Sequence, residues 1–294
     1  DSHPLACGVL GRSGAPIAQW FMKKSDLLIV IGATFSKHTG IAADKKTIQI
    51  DFDPMALGRF HSIDIPVYGE IGEVLNRLNQ ELPDAPEKHD VLDEIAEQWK
   101  EWRQEKQNRM KKDNGKGLNS AILFDAMTKI VEKDAVITVD VGNNAYSFGR
   151  YFESSGKQAV LMSGYLGSIG FGYPAAIGAW AATEGNRPVW CVTGDGGFAQ
   201  YMAELLTAVK YNMNITHVLL RNDQLGKIAL EQKSENYPIW KVDQRNPDFS
   251  RYAENCGARG FRVVKADQLE QSLKEARDYK GPALVEVVCD PALT

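Results

Sequence analysis

Short apolar runs bounded by polar turns recur along this chain, and they predict strands at Leu27 to Ile31, Thr47 to Phe52, Ala135 to Asp140, Val189 to Thr193, Thr216 to Leu220, Gly260 to Val264 and Leu284 to Val288. A helical pattern runs from Ile71 to Leu82, and from Ser120 onward strands and helices alternate. Alternation of that kind implies parallel sheets with helices on both faces, so the predicted class is α/β with doubly wound parallel sheets. The proline-punctuated stretch Pro83-Asp84-Ala85-Pro86-Glu87-Lys88 predicts a boundary. After it, Val91 to Lys112 reads as a charged helical connector with a solvated face, carrying Trp99 and Trp102. The expected organisation is residues 1–82, a linker and connecting helix at 83–117, and a second domain at 118–294.

Composition narrows the class without naming a function. With 294 residues, 44% of them hydrophobic, the chain can bury more than one core, and a net charge of −4 leaves no footprint for nucleic acid. Cys7, Cys191, Cys256 and Cys289 stand far apart with no CxxC pair, which argues against a disulfide framework or zinc site and for a reducing compartment. No apolar run approaches the ~20 residues that cross a bilayer, and no signal peptide precedes Asp1, so a cytoplasmic protein is expected. His38 and His61 lack a partner pattern and read as ordinary surface or turn residues.

The chemistry concentrates between Gly194 and Gly226. Asp195 closes one apolar strand and Asn222 closes the next, one strand-helix-strand excursion later, so a parallel sheet brings both to the same edge. A hard cation such as Mg²⁺ takes oxygen ligands, one or two from side chains and the rest from phosphate and water. Asp195 offers a charged oxygen and Asn222 a neutral one. Gly196 and Gly197 let the backbone approach an anion, and a helix starting near Phe198 aims its N–H groups at the same place. The pattern is that of a metal-bound diphosphate site, although Gly-Asp-Gly by itself is as often a plain turn.

Gly-Asp-Gly followed by a strand that ends in Asn resembles the diphosphate motif of thiamine-diphosphate (ThDP) enzymes, with Arg221-Asn222 where the usual ending is Asn-Asn. Two upstream segments resemble the same family: Asp140-Val141-Gly142-Asn143-Asn144, and Ser163-Gly164-Tyr165-Leu166-Gly167-Ser168-Ile169-Gly170. The resemblance implies ThDP and Mg²⁺ as cofactors. It implies Asp195, Asn222 and the Gln224 carbonyl as metal ligands, and Gly142, Asn143, Asn144, Gly167, Ser168, Ile169, Gly196, Gly197, Leu225 and Gly226 around the cofactor. Ile169 would hold ThDP bent, making proton removal from the thiazolium intramolecular; the bland reading of Ile169 is a core residue under a glycine-rich turn.

Nearly the whole chain resembles the pyruvate oxidase and acetolactate synthase branch of that family. Residues 118–294 resemble its diphosphate-binding domain, and residues 1–82 the second half of its Rossmann-like central domain. Lys227, Ile228 and Glu231 would line the substrate pocket. Synthases carry Trp at the Glu231 position and Met at the Lys227 position, whereas oxidases carry Glu at the former and an aromatic at the latter. The alternative for Lys227 and Glu231, four apart on one helix face, is a surface ion pair. In flavin-dependent members the central domain holds FAD, and Thr47 to Pro54 with Val67 to Ile71 resembles the segments that reach it; equally, Asp51 and Asp53 cap the Asp-Pro turn. The resemblance implies decarboxylation of a pyruvate-like 2-oxo acid by a pyruvate oxidase-like homodimer or homotetramer, with a synthase-like carboligase or a noncatalytic ThDP-binding module as alternatives. The chain is expected to be a fragment lacking the N-terminal pyrimidine-binding domain and its activating glutamate, or one subunit of a split enzyme, and inactive alone.

Overall fold

The computed structural model describes residues 1–33, 39–83, 91–164 and 166–293. His38, most of the Pro83–Lys88 stretch, and Tyr165 lie outside the described residues. The described residues form two compact units, one spanning 4–102 and the other 1–3 with 103–294.

The first unit contains α1 (Pro16–Lys24), β1 (Leu27–Ile31), β2 (Lys46–Asp51), β3 (Ile65–Tyr68), α2 (Ile71–Glu81) and the start of α3 (Leu92–Met110). Its three strands are parallel in the order β1-β2-β3, with Ile29 opposite Ile48 and Ile50 opposite Val67. Pro16 opens α1 at a position where its missing N–H costs no hydrogen bond, and Ile17 behind it is buried. Glu70 caps α2 by accepting from the Glu73 N–H at 2.8 Å. Along α3, Ile95, Trp99, Trp102 and Lys106 make one buried stripe at helical spacing, so most of the connector's charges face outward, while Lys106 and the two tryptophans do not.

The second unit continues with α4 (Ser120–Ile130), β4 (Val136–Val139), α5 (Asn143–Tyr151), β5 (Ala159–Met162), α6 (Gly172–Ala182), β6 (Val189–Gly194), α7 (Asp195–Tyr201), α8 (Leu205–Lys210), β7 (Ile215–Arg221), α9 (Gly226–Ser234), α10 (Phe249–Asn255), β8 (Arg259–Val263), α11 (Leu269–Asp278) and β9 (Ala283–Val288). Its six strands are all parallel, in the order β5-β4-β6-β7-β9-β8. β4, β6, β7 and β9 are buried on both faces, as parallel strands under helices must be. Tyr173, Phe198, Leu205, Ile215, Leu219, Phe249 and Leu284 share one core. The chain leaves β4 for β5 on one side and returns as β6 on the other, so the strand order reverses there. A crevice opens beyond the carboxyl ends at such a switch, where doubly wound proteins bind ligands.

The observed class is α/β with parallel sheets, as predicted. Two strands escaped the apolar pattern for local reasons. β3 is four residues long with Pro66 inside it, and β5 is an edge strand with three of its four residues exposed. The helix expected near Phe198 begins three residues earlier, at Asp195, which places Gly196 and Gly197 in its first turn.

Candidate functional site

A cavity of about 340 Å³ occupies the switch-point crevice. Its lining gathers, from four separate stretches of chain, Gly142, Asn143 and Asn144 after β4; Gly167 and Ile169; Asp195, Gly196 and Gly197 after β6; and Asn222, Gln224, Leu225, Gly226, Lys227 and Ile228 after β7. Ser168 and Glu231 are not among the lining residues: the Ser168 N–H donates to the Ser163 hydroxyl, and Glu231 pairs with Lys227 at 3.0 Å, the i,i+4 ion pair held open above.

Each stretch is held by local hydrogen bonding. Gly142 lies at φ 132°, outside the range of ordinary side chains, and it turns the chain so that Asn144 can donate to the Asp140 carbonyl at 2.7 Å. The buried Asp140 carboxylate accepts from Val141 N–H at 2.7 Å and Gly170 N–H at 2.9 Å, tying the Gly167–Gly170 turn to the end of β4. Burial raises its pKa above the usual carboxylate range, and those N–H groups pull in the opposite direction. A Cβ on Gly197 would fall 2.1 Å from Asp140 Oδ2, so only glycine allows this approach.

Asp195 is the most tightly held group. Its Oδ2 accepts from the N–H of Asn222 (3.1 Å), the N–H of Asp223 (2.7 Å) and Asn246 Nδ2 (2.8 Å), while Oδ1 accepts from Gly196 N–H at 2.9 Å. Oδ1 thereby keeps room for a cation. Burial pushes the Asp195 pKa up, against the backbone donors. Asn222 Oδ1 accepts from Gln224 N–H at 3.1 Å, and the Gln224 carbonyl accepts from Gly226 N–H at 2.8 Å, which leaves that oxygen a second lone pair.

Two contributors carried no sequence signal of their own. Residues 242–246 run antiparallel to the Asn222–Gly226 loop: Leu225 N–H donates to the Val242 carbonyl and Gln244 N–H to the Asp223 carbonyl. Asn246 bridges Asp195 and Asp223, donating to both at 2.8 Å. Gln244 lies against Gly196, and its buried Oε1 has no hydrogen-bond partner. The one available clue was Asn246-Pro247-Asp248, which marks the approach to a capped helix: Asp248 caps α10. Arg221, where the family pattern has Asn, turns away from the cavity to Asp223 (2.9 Å), the Pro247 carbonyl (3.2 Å) and the fully buried Glu286 (2.8 Å).

The arrangement fits a metal-bound diphosphate. Among the described residues no three His, Cys, Asp or Glu side chains converge as a metal cage. The available donors are one carboxylate, one amide and one main-chain carbonyl, so a cation here must complete its shell from water and a ligand's phosphates, as Mg²⁺ does. The orphaned Gln244 Oε1 beside Gly196 is the kind of acceptor a bound water would satisfy.

In the first unit, Asp51 accepts from Asp53 N–H and Asp53 from Met55 N–H, both at 2.9 Å, so both carboxylates cap the Asp-Pro turn. The four cysteines are free thiols, and among the described residues no helix is long and apolar enough to cross a membrane.

Parallel sheets with a glycine-lined cavity at a topological switch define an α/β protein of the cofactor-binding class. The chain belongs to the thiamine pyrophosphate enzymes: residues 140–287 match the C-terminal TPP binding domain of that family and residues 1–78 its central domain. It is 32% identical over 98% of its length to the putative thiamine pyrophosphate-containing protein YdaP of Bacillus subtilis (strain 168), covering 50% of that protein. It is 33% identical over 99% of its length to a probable acetolactate synthase large subunit of Methanocaldococcus jannaschii, and 31% over 99% to the catabolic acetolactate synthase of Raoultella terrigena, covering 51% and 52% of them. The chain thus spans about half the length of the curated relatives it matches.

Proposed function

We propose that this chain supplies the diphosphate- and metal-binding half of a ThDP- and Mg²⁺-dependent enzyme that decarboxylates a pyruvate-like 2-oxo acid. The observation that carries the reading is the juxtaposition of Asp195, Asn222 and the Gln224 carbonyl in one cavity with Ile169, Lys227 and Ile228. Asp195, Asn222 and the Gln224 carbonyl would hold the cation. Gly142, Asn143, Asn144, Gly196, Gly197, Leu225 and Gly226 would surround the diphosphate, and Gly167, Ser168 and Ile169 the rings. When bound, ThDP supplies a carbanion nucleophile and an electron sink for the electrons released with CO₂. Ile169 and Ile228 present apolar surface that excludes water, and Lys227 places a cation where a substrate carboxylate arrives. Glu231, outside the cavity lining, would act through its ion pair with Lys227, holding that ammonium toward the substrate.

Glutamate rather than Trp at position 231 favours an oxidase-like reaction, with FAD in the central domain as electron acceptor. The relatives named acetolactate synthase favour carboligation as the second reading. Either fits a homodimer or homotetramer. The test is a calorimetric titration with ThDP in the presence of Mg²⁺: wild type binds, Asp195→Ala does not, and equal affinities would remove the metal assignment. Turnover of pyruvate with an artificial electron acceptor, by the chain joined to a pyrimidine-binding partner, separates oxidase from synthase.

A further inference from the structure

Arg221 stands where the family pattern has Asn, at the last position of β7 and next to the proposed metal ligand Asn222. Its side chain ties together three separate parts of the second unit. Nε donates to Asp223 Oδ1 at 2.9 Å, in the loop after β7, while Nη1 donates to the Pro247 carbonyl at 3.2 Å and to Glu286 Oε1 on β9 at 2.8 Å. Glu286 is the fixed point of the three. It is fully buried, sits beside Leu219 in the β7–β9 ladder, and accepts from Ser250 N–H through its other oxygen. Guanidinium donors keep a rigid planar geometry, so an arginine braced on Glu286 restricts where its other two acceptors can lie.

Those two acceptors are the supports of Asp195. The oxygen of Asp223 that takes Arg221 Nε also accepts from Asn246 Nδ2 at 2.8 Å, and Asn246 Nδ2 donates to Asp195 Oδ2 at 2.8 Å. Pro247, whose carbonyl Arg221 holds, follows Asn246 in the chain, so Asn246 is fixed through its side chain and its main chain alike. Asn246 is neutral and joins two carboxylates. The charge of Asp223 is balanced from its other side, by Arg221. We propose that Arg221 is a positioning residue for the bound cation: braced on Glu286, it sets Asp223 and Asn246, keeps Asp195 in the orientation that leaves Oδ1 for the metal, and thereby sets how much Mg²⁺ the chain needs to bind ThDP. This rests on the ThDP reading.

The test titrates the 294-residue chain calorimetrically with ThDP over a series of Mg²⁺ concentrations, reads the Mg²⁺ concentration that half-saturates binding, and follows urea unfolding of each variant in parallel. Arg221→Met and Asp223→Ala should each raise the half-saturating Mg²⁺ about 10-fold, the scale on which outer partners of a metal ligand act. Asp223→Asn keeps an acceptor oxygen for both Arg221 and Asn246 and should recover most of that loss. Arg262→Met removes the other cation on Glu286, at 3.4 Å, and leaves the contacts of Arg221 in place; it should lower stability and keep the wild-type Mg²⁺ requirement. A merely structural Arg221 would make the two arginine variants alike. A wild-type requirement in Arg221→Met, or an equal rise in Arg262→Met, overturns the proposal. If Arg221→Met does not fold, Asp223→Ala decides, because its side chain is about half exposed and its loss leaves the buried pair of Arg221 and Glu286 intact. If the wild type binds no ThDP at any Mg²⁺ concentration, the functional reading falls and this inference with it. If the wild type binds and Asp223→Ala matches it, only this inference falls.

Discussion

The two sheets end their strands in aspartates that do opposite work. At the end of β2, Asp51 accepts from Asp53 N–H, and Asp53 in turn accepts from Met55 N–H, so the polar capacity closes a local turn. Just beyond β6, Asp195 is held by donors from the neighbouring strand end and from Asn246, 51 residues away, and one of its oxygens faces a cavity. The first sheet also has an exposed edge. β1 alternates exposed and buried, leaving Leu27, Ile29 and Ile31 in solvent, whereas β6 and β7 are covered on both faces. Asp51 and Asp195 are both buried, so their partners set them apart: Asp51 closes on its own turn, whereas Asp195 is held from a neighbouring strand end and from Asn246 beside a cavity.

The ion pairs give the sharpest test of that contrast. Glu286 is fully buried on β9, and its partners are Arg221 at 2.8 Å, Arg262 at 3.4 Å and the Ser250 N–H at 3.1 Å. Arg221→Met removes the nearest cation from a buried carboxylate and is expected to cost about 3 kcal/mol in urea unfolding. In the first unit, Lys24 on α1 and the partly exposed Glu94 on α3 pair at 2.6 Å at the surface, so Lys24→Met should leave the urea midpoint nearly unchanged. Comparable losses would mean that the buried pair between strands and the surface pair between helices carry equal weight.

Asp195→Ala and Asp51→Ala test the strand ends directly. The first is expected to weaken ThDP binding in Mg²⁺ by at least ~100-fold, the scale on which loss of a charged, hydrogen-bonded partner operates. The second should cost about 1 kcal/mol of stability through the lost turn cap and leave ThDP affinity within about twofold. Parallel ThDP titrations and urea melts read both, and an Asp51→Ala variant that lost ThDP would put the cofactor's support partly in the first unit.

Asn246→Ala addresses how Asp195 is oriented. Its carboxamide donates at 2.8 Å to both Asp195 and Asp223, and removal of such an outer partner of a metal ligand typically costs ~10-fold in metal affinity. The expected readout is a tenfold rise in the Mg²⁺ concentration needed to half-saturate ThDP binding, with near-normal affinity at saturating Mg²⁺. An unchanged Mg²⁺ requirement would make Asn246 a purely structural clasp.

Much of this contrast was legible in the chain. Parallel strands under helices show as apolar runs, so β4, β6, β7 and β9 were predictable, and Asp195, Asn222 and the glycines around them share local motifs set by backbone approach to an anion. What escaped depends on tertiary proximity. Gln244 and Asn246 lie in an irregular strap whose pairing with the Asn222–Gly226 loop has no periodicity, and Arg221 finds Glu286 only because β7 and β9 are neighbours. The alternating charges on α3 suggested a solvated helix. They did not reveal that Lys106 occupies the buried stripe, its side chain 3% exposed and paired to Asp125 at 2.9 Å and Glu153 at 3.4 Å.

The last difference between the sheets is titratable. Each places a polar side chain in its interior: Gln49 on β2 is fully engaged, donating to the Ala33 and Ala56 carbonyls and accepting from Gly58 N–H, and it cannot ionise. His217 on β7 is buried among Tyr173 and Phe198 with one ring nitrogen on Thr193 Oγ1 at 2.8 Å, and burial pushes its pKa down to about 3. An unfolded histidine titrates near 6.5, so the unfolded chain takes up a proton that the folded chain refuses. The contribution of a neutral His217 is therefore fully present above about pH 6.5 and is lost progressively as pH falls toward the folded value of about 3. Between pH 7 and pH 6 this single group should remove about 0.7 kcal/mol from the second unit, as the difference in pH slope between wild type and His217→Gln in urea melts. A Gln49→Leu variant should show the wild-type slope at whatever stability it retains. Matching slopes for wild type and His217→Gln would mean that the histidine charges in place, and that the covered sheet tolerates a buried cation.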